Sequence, residues 1–372
     1  MQYKEFKDGI KLSRLGMGIM RLPVIDGDNS RIDYPEAKKI IELAYQKGVN
    51  YYDTAYIYHE GKSEEFAGKA LAEYPRDSFY IADKFNYQAE PDFRKQFAQQ
   101  LENLKMDHID FYLLHGIQDN FVDDILNCGA IEYFDNLKKE GAIRYFGFSY
   151  HGSEENLLKV LSSYQWDFAQ IQLNYYDWEF GNQRRLYELL TDANIPAMIM
   201  EPVHGGMLAK MNEDSSKLLK AAKPDASLAS WAMRWIKGLD NVQVVLSGMS
   251  DLSQVEDNVN TFSNDAPLDE TEKDLLKQAA SLLRKYIALP CTSCRYCVPD
   301  CPMELHIPDL LRAYNEMKAG GEWRLADLFG LNESEQPGAC IGCGNCTAHC
   351  PQSLPIPDAM SEMASVMSKM GA

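Results

Sequence analysis

Basic residues are scarce in this sequence. Lys and Arg number 37 against 55 Asp and Glu, for a formal net charge of −18 and a pI near 4.8. A nucleic-acid surface needs a basic footprint, so that class of partner is excluded. The acidic balance suits a solvated surface, or a face that meets a basic redox partner. Long apolar runs are missing too, since none approaches the ~18 to 20 residues that span a bilayer. The opening MQYKEFKDGI lacks the apolar core of a signal peptide. The cytoplasm is therefore the expected location, with no membrane partner. Cysteine is nearly absent before residue 291: Cys128 stands alone there and reads as a small buried hydrophobe rather than a nucleophile. A disulfide framework over that stretch is excluded. No GxGxxG follows the first strand, which leaves a doubly wound open sheet, the competing α/β architecture, without support.

What is present is alternation. From residue 36 to about residue 261, helical patterns such as EAKKIIELAYQKG and FRKQFAQQLENLK alternate with short runs such as FYIADK, IDFYLLHG and VQVVLSG. Runs rich in Val, Ile, Phe and Tyr between helices of this length indicate βαβ units and a parallel sheet. With SRLGMGIMRL as a strand before the first helix, the count reaches eight strands and eight helices, as in a (β/α)8 TIM barrel. The 372 residues exceed that barrel. The expected division is a barrel over 1–265, a linker and connecting helix over 266–288, and a smaller, mainly α-helical ferredoxin-like domain over 289–372.

Polar residues end several of the apolar runs: Asp53 after VNYY, Lys84 after FYIAD, His115 after FYLL and Ser149 after YFGF. Each alone has an ordinary reading as a capping Asp, a snorkelling Lys or a satisfied His. Together, at successive strand ends of a barrel, they mark the face that holds active sites.

Residues 10–262 resemble the aldo-keto reductase family, through LGMGIMRLP, YYDTAYIY, IADK, FYLLHG, FGFS, QLNYY, MEPVHGG and VLSGMSDLSQVEDN in the family's order. The resemblance implies a catalytic tetrad of Asp53, Tyr58, Lys84 and His115, and an NAD(P)H-dependent oxidoreductase acting on a carbonyl or alcohol. A tyrosine with pKa near 10 is a reluctant proton donor at neutral pH, and a neighbouring cation lowers that value. Lys84 would supply the cation, Asp53 would hold Lys84, and His115 would orient the substrate oxygen. The resemblance also implies nicotinamide contacts at Ser149, Gln172 and Asn174, and further cofactor contacts at Gly18, Gly248, Ser250, Gln254 and Asn258. Two positions depart from the pattern. Met200 stands where many members stack an aromatic ring on the nicotinamide. The stretch after Gly248 has no Lys or Arg until Lys273, and a 2′-phosphate wants a cation; the cofactor is NADP or NAD, with NADH open. Met20, Arg21, Tyr56 and the loop around His151 are the candidates for the substrate cavity.

The other eight cysteines form two runs, Cys291, Cys294, Cys297 and Cys301 before Pro302, and Cys340, Cys343, Cys346 and Cys350 before Pro351. Both read C-x2-C-x2-C-x3-C-P, the pattern of two-cluster ferredoxins, in which the fourth Cys ligates the other cluster. Two 4Fe–4S clusters are expected. One would take Cys301 with Cys340, Cys343 and Cys346, the other Cys350 with Cys291, Cys294 and Cys297. Zinc competes for thiolates, but more often through two CxxC pairs. The intervening HIPDLLRAYNEMKAGGEWRLADLF reads as two short helices broken at Gly320 and Gly321, resembles α-helical ferredoxin modules, and is expected to have little core without its clusters.

A nicotinamide gives up two electrons together and a cluster takes one. The clusters would therefore be structural, or serve a redox partner protein, a flavoprotein or a ferredoxin. The alternative reading is an electron-transfer subunit whose barrel is a docking or nucleotide-sensing scaffold.

Overall fold

The strands after the first forty residues are buried nearly end to end, as parallel strands covered on both faces must be. The computed structural model describes residues 1–264 and 266–370. Its strands are β1 (Tyr3–Glu5), β2 (Lys11–Ser13), β3 (Leu15–Gly18), β4 (Tyr51–Asp53), β5 (Tyr80–Phe85), β6 (Ile109–Ile117), β7 (Ile143–Tyr150), β8 (Phe168–Gln172), β9 (Ala197–Met200) and β10 (Val242–Ser247). β3 to β10 pair in sequence order, all parallel, and β10 closes on β3. The (β/α)8 barrel read from the sequence is the architecture found.

Local chemistry sets the helices. Asp33 caps Tyr34–Gln46 by accepting the Glu36 N–H, Pro35 sits in the first turn, and Ala37, Ile40, Ile41 and Ala44 form its buried stripe. Asp92 caps Phe93–Leu104 by accepting two backbone N–H groups. The antiparallel hairpin β1–β2 was not among the expected elements, although Asp8-Gly9 at its turn is a hairpin signal. Its Phe6, Ile10 and Leu12 pack with Tyr51, Phe111, Tyr145 and Phe168 from the early parts of the barrel strands, and Phe6 meets Tyr145 edge-on at 5.0 Å. The end of the barrel where the strands begin is thus filled by packing, and the polar strand ends lie at the other.

The chain forms two compact units: Met1–Pro202 with Ala229–Asp269, and Val203–Leu228 with the chain from Glu270 onward. The boundary expected at residue 265 falls on a residue outside the described ones. Within the second unit, the helices Glu213–Ala222 and Glu270–Arg284 pack together, and Ser215 Oγ donates to Ala279 O at 2.9 Å. The region between the cysteine runs has a 14-residue α-helix, Ile307–Gly320, and then a 3-10 helix, Glu322–Gly330. Gly321, at φ +97°, makes the break. The expectation of little core is corrected here. Leu310, Leu311, Tyr314, Met317 and Leu325 pack against Ile356, Met360 and Met363 of a further helix, Ile356–Met370. Cys128 also differs from expectation: it is only partly buried, although burial still raises its thiol pKa. Among the described residues no helix is long and apolar enough to cross a membrane.

Candidate functional site

Most candidates of the barrel stand at or near the end of a strand, while Gln254 and Asn258 lie in the helix Leu252–Asn264. Gly18, Asp53, Gln172 and Met200 are the last residues of β3, β4, β8 and β9. Lys84 and Ser149 are next to last in β5 and β7, and His115 lies in the final third of β6. Tyr58 opens the 3-10 helix Tyr58–Gly61. Parallel register makes the grouping unavoidable, because Gly18 pairs with Asp53 and Lys84 with Leu113.

Four of these side chains come together. Lys84 Nζ lies 2.7 Å from Asp53 Oδ1, with the two side chains 0% and 4% exposed, and it also donates to Thr54 O. The same ammonium stands 4.8 Å from the centre of the Tyr58 ring. Tyr58 meets His115 edge-on at 5.9 Å and 82°. Burial raises the Asp53 pKa, and the Lys84 charge opposes that rise. His115 is pushed well below the usual imidazole range by burial first, then by Lys84 and His151. It is the neutral form that stands here.

Asn86 was not among the sequence candidates. Its Oδ1 accepts the Ala89 N–H at 2.8 Å, which turns Nδ2 toward His115 Nδ1 at 3.3 Å. Nδ1 then accepts, and the ring proton sits on Nε2. The available signal was a polar residue two places after Lys84 in IADKFN.

The expected cofactor residues fall into two groups. At β7 and β8, Ser149, Gln172 and Asn174 are all buried. Ser149 Oγ accepts the Gly116 N–H at 2.6 Å and retains its own hydroxyl proton. Gln172 Nε2 and Asn174 Nδ2 both donate to Asp177 Oδ2, at 2.7 and 2.6 Å. Asn174 Oδ1 accepts the Asp177 N–H as the cap of Tyr175–Phe180. Asn174 is thus committed to the helix start. At the β10 end, Gly248 approaches the Arg21 side chain, and Ser250 Oγ donates to Arg21 O at 2.6 Å. Gln254 accepts the Ser250 N–H and donates to Asp251. Asn258, buried, donates to Ser247 Oγ at 3.0 Å. Arg21 Nη2 reaches Glu201 Oε1 at 3.6 Å. The Ser149 hydroxyl and the buried Gln172 amide suit a carboxamide, so the residues present fit a nicotinamide.

In the second unit, Cys301, Cys340, Cys343 and Cys346 line one cavity with Leu305, Ile356 and Met360. Cys301 therefore lies with the second run. The Cys297 thiol is raised by burial and then by the nearby Cys294, Cys291 and Cys350, so Cys350 lies with the first run. Among the described residues no three Cys, His, Asp or Glu side chains gather closely enough for a single ion. The second set instead surrounds a space that fits a group of several atoms.

Residues 14–281 match the aldo/keto reductase family, and residues 290–354 match a 4Fe-4S dicluster domain. L-galactose dehydrogenase of Arabidopsis thaliana is 27% identical over 276 residues, covering 68% of this chain and 84% of its own. NADH-specific methylglyoxal reductase of Escherichia coli is 24% identical over 323 residues, covering 74% and 97%. An aldo-keto reductase of Bacillus halodurans in its holo form superposes with TM-score 0.63 and 26% identity, covering 75% and 96%. With its closed eight-stranded barrel and the match over 14–281, the chain belongs to the aldo/keto reductase family and carries a 4Fe-4S dicluster domain at its C-terminal end.

Proposed function

We propose that the barrel reduces a small carbonyl compound, or oxidises the matching alcohol, with NAD(P)H as hydride carrier and Tyr58 as the proton-transferring group. One observation carries this reading: the buried Lys84–Asp53 pair lies beneath the Tyr58 ring, with neutral His115 at its edge. The bound nicotinamide supplies or takes the hydride. Ser149 and Gln172 would hold its carboxamide. The Lys84 ammonium stabilises the phenolate that Tyr58 becomes as its proton leaves. Asp53 keeps Lys84 charged and in place. His115, protonated on Nε2, offers that N–H to the substrate oxygen and so directs it to Tyr58.

The two thiol sets would hold two 4Fe–4S clusters, Cys301 with Cys340, Cys343 and Cys346, and Cys350 with Cys291, Cys294 and Cys297. Such clusters supply one-electron transfer. The grouping of Cys301 and Cys350 supports the crossed assignment. The family match favours a small-molecule carbonyl or alcohol substrate, and the dicluster domain favours a redox partner; a cytoplasmic location is proposed with them.

The test is Tyr58→Phe in the full chain, assayed with NADH and methylglyoxal, the substrate named for the Escherichia coli relative. Loss of turnover with nucleotide binding retained is expected. Turnover indifferent to the change would remove Tyr58 from the reaction, and nucleotide binding without turnover in the unmodified chain would favour the electron-transfer subunit, whose barrel does no hydride chemistry.

A further inference from the structure

Two carboxyl groups the mechanism does not use lie behind Lys84. Glu64, from the helix Ser63–Leu71, and Asp83, from β5, are both 0% exposed; Gln100 Nε2 meets both Glu64 Oε1 and the Lys84 carbonyl next to Asp83, and each carboxyl acts on the other's titration. Two ionised carboxylates cannot hydrogen-bond each other, since neither has a proton to donate. Like charges in a buried site also repel, and such a pair keeps one proton. Lys84, the cation beside Asp83, is already bonded to Asp53. Glu65 adds a further negative charge near Glu64.

The surroundings say where the proton sits. Glu64 Oε1 accepts Gln100 Nε2 at 3.2 Å, and Oε2 accepts Asn103 Nδ2 at 2.8 Å. These donors favour the Glu64 carboxylate. Asp83 Oδ1 accepts the Lys84 N–H at 2.8 Å, while its Oδ2 is buried with no donor. An oxygen so placed is the one to carry a proton. The network also grips the Lys84 backbone from both sides. Asp83 holds the N–H, and Gln100 Nε2 holds the carbonyl at 2.9 Å. Tyr112 fixes Gln100 by donating to its Oε1 at 2.6 Å.

We propose that Asp83 is a neutral acid at neutral pH that donates its proton to the Glu64 carboxylate, and that this pair with Gln100 is the positioning device for Lys84. The positioning half rests on the role given to Lys84 above. A neutral Asp83 leaves Lys84 one ionised partner, Asp53, so the ammonium stays directed toward Tyr58. An ionised Asp83 would add a second negative charge near the Lys84–Asp53 pair.

The test is infrared spectroscopy of the full chain at neutral pH. The wild type minus Asp83→Asn spectrum should contain a carboxylic-acid C=O band that shifts in deuterated water. Glu64→Gln should also lose the band, because Asp83 then ionises beside an amide donor. A difference spectrum without an acid band overturns the shared proton. For positioning, Asp83→Leu should lower kcat with NADH and methylglyoxal about tenfold or more, since small displacements of a reacting group cost rate steeply. Its nucleotide Kd should stay within about twofold, the split expected of an interaction used only in the transition state. Asp83→Asn, which restores an acceptor for the Lys84 N–H, should recover most of that kcat. Full kcat in Asp83→Leu overturns the positioning role. Should Asp83→Leu fail to fold, the same kcat and Kd readings on Glu64→Gln decide it. Should Tyr58→Phe leave turnover intact, the role given to Tyr58 falls, and the infrared band still decides the shared proton.

Discussion

Lys84 Nζ stands 2.7 Å from Asp53 Oδ1, and neither side chain sees solvent. A pair so placed is costly to bury and more costly to break, because the survivor keeps its charge without a counter-ion. Asp53→Asn should therefore lower stability by about 3–5 kcal/mol, read as a fall in denaturant midpoint. Turnover should fall with it, since the Lys84 charge that tunes Tyr58 loses its anchor.

Asn86 sets the state of His115. In Asn86→Asp a carboxylate would face Nδ1, and an opposite charge at that distance favours the imidazolium. The wild-type ring resists protonation into acid, so its rate should hold steady as pH falls below neutrality. The variant should show an acid limb in log kcat, displaced upward by about one unit or more. A profile unchanged by the substitution would remove His115 from the reaction.

Acid should destabilise the barrel through its histidines. His151 is pushed from the usual 6.5 down to about 4 by burial, and His115 is lowered as well. Unfolded, both take up protons near 6.5; folded, they do not. Between pH 6.5 and about 4 the unfolded state binds more protons, so stability falls as pH falls through that window. His151→Phe should flatten the dependence of Tm on pH there.

Crossed ligation makes an unusual pairing of phenotypes. Cys301→Ser should resemble Cys346→Ser, and Cys350→Ser should resemble Cys297→Ser, each losing about half of the bound iron and one of two EPR signals. Grouping by position in sequence, Cys301 with Cys297, would contradict the arrangement of thiols seen here.

No Lys or Arg occurs between Gly248 and Lys273, and Asp251 and Gln254 bond to each other in the turn that follows. The cation beside Gly248 is Arg21, and it is already paired with Glu201, so a 2′-phosphate entering that region would have to compete for it. Titration should give a lower Kd for NADH than for NADPH, by about tenfold, the scale of one charged hydrogen bond.

The sequence was most informative where chemistry is local. Asp53 and Tyr58 share one short motif, the cysteine runs have fixed spacing, and strands and helices alternate with their own periods. The eight strands and the meeting of Asp53, Tyr58, Lys84 and His115 were legible for that reason. Long-range pairing was not. Asp8-Gly9 in YKEFKDGIKL signals a hairpin turn, but not that the hairpin packs against the barrel interior, and Glu64 and Asp83 are ordinary letters until a helix and a strand bring them together. Asn174 shows the reverse limit. Its position suggested a ligand contact, but its side chain is occupied in capping the helix that begins at Tyr175.

The second unit begins inside the first. Residues 203–228 leave the barrel after β9 and rejoin it before the helix Leu228–Lys237, and they share a core with the chain from Glu270 onward. His204 Nε2 bonds Pro290 O at 3.2 Å, and a side chain at Gly205 would strike Thr292 O, next to Cys291. The dicluster region is therefore no detachable tail. A stop codon after the barrel's last helix would strand the helix Glu213–Ala222 without its mate and leave its apolar face bare. During synthesis, this excursion has to wait, unpartnered, until the ribosome has delivered the remainder of the chain.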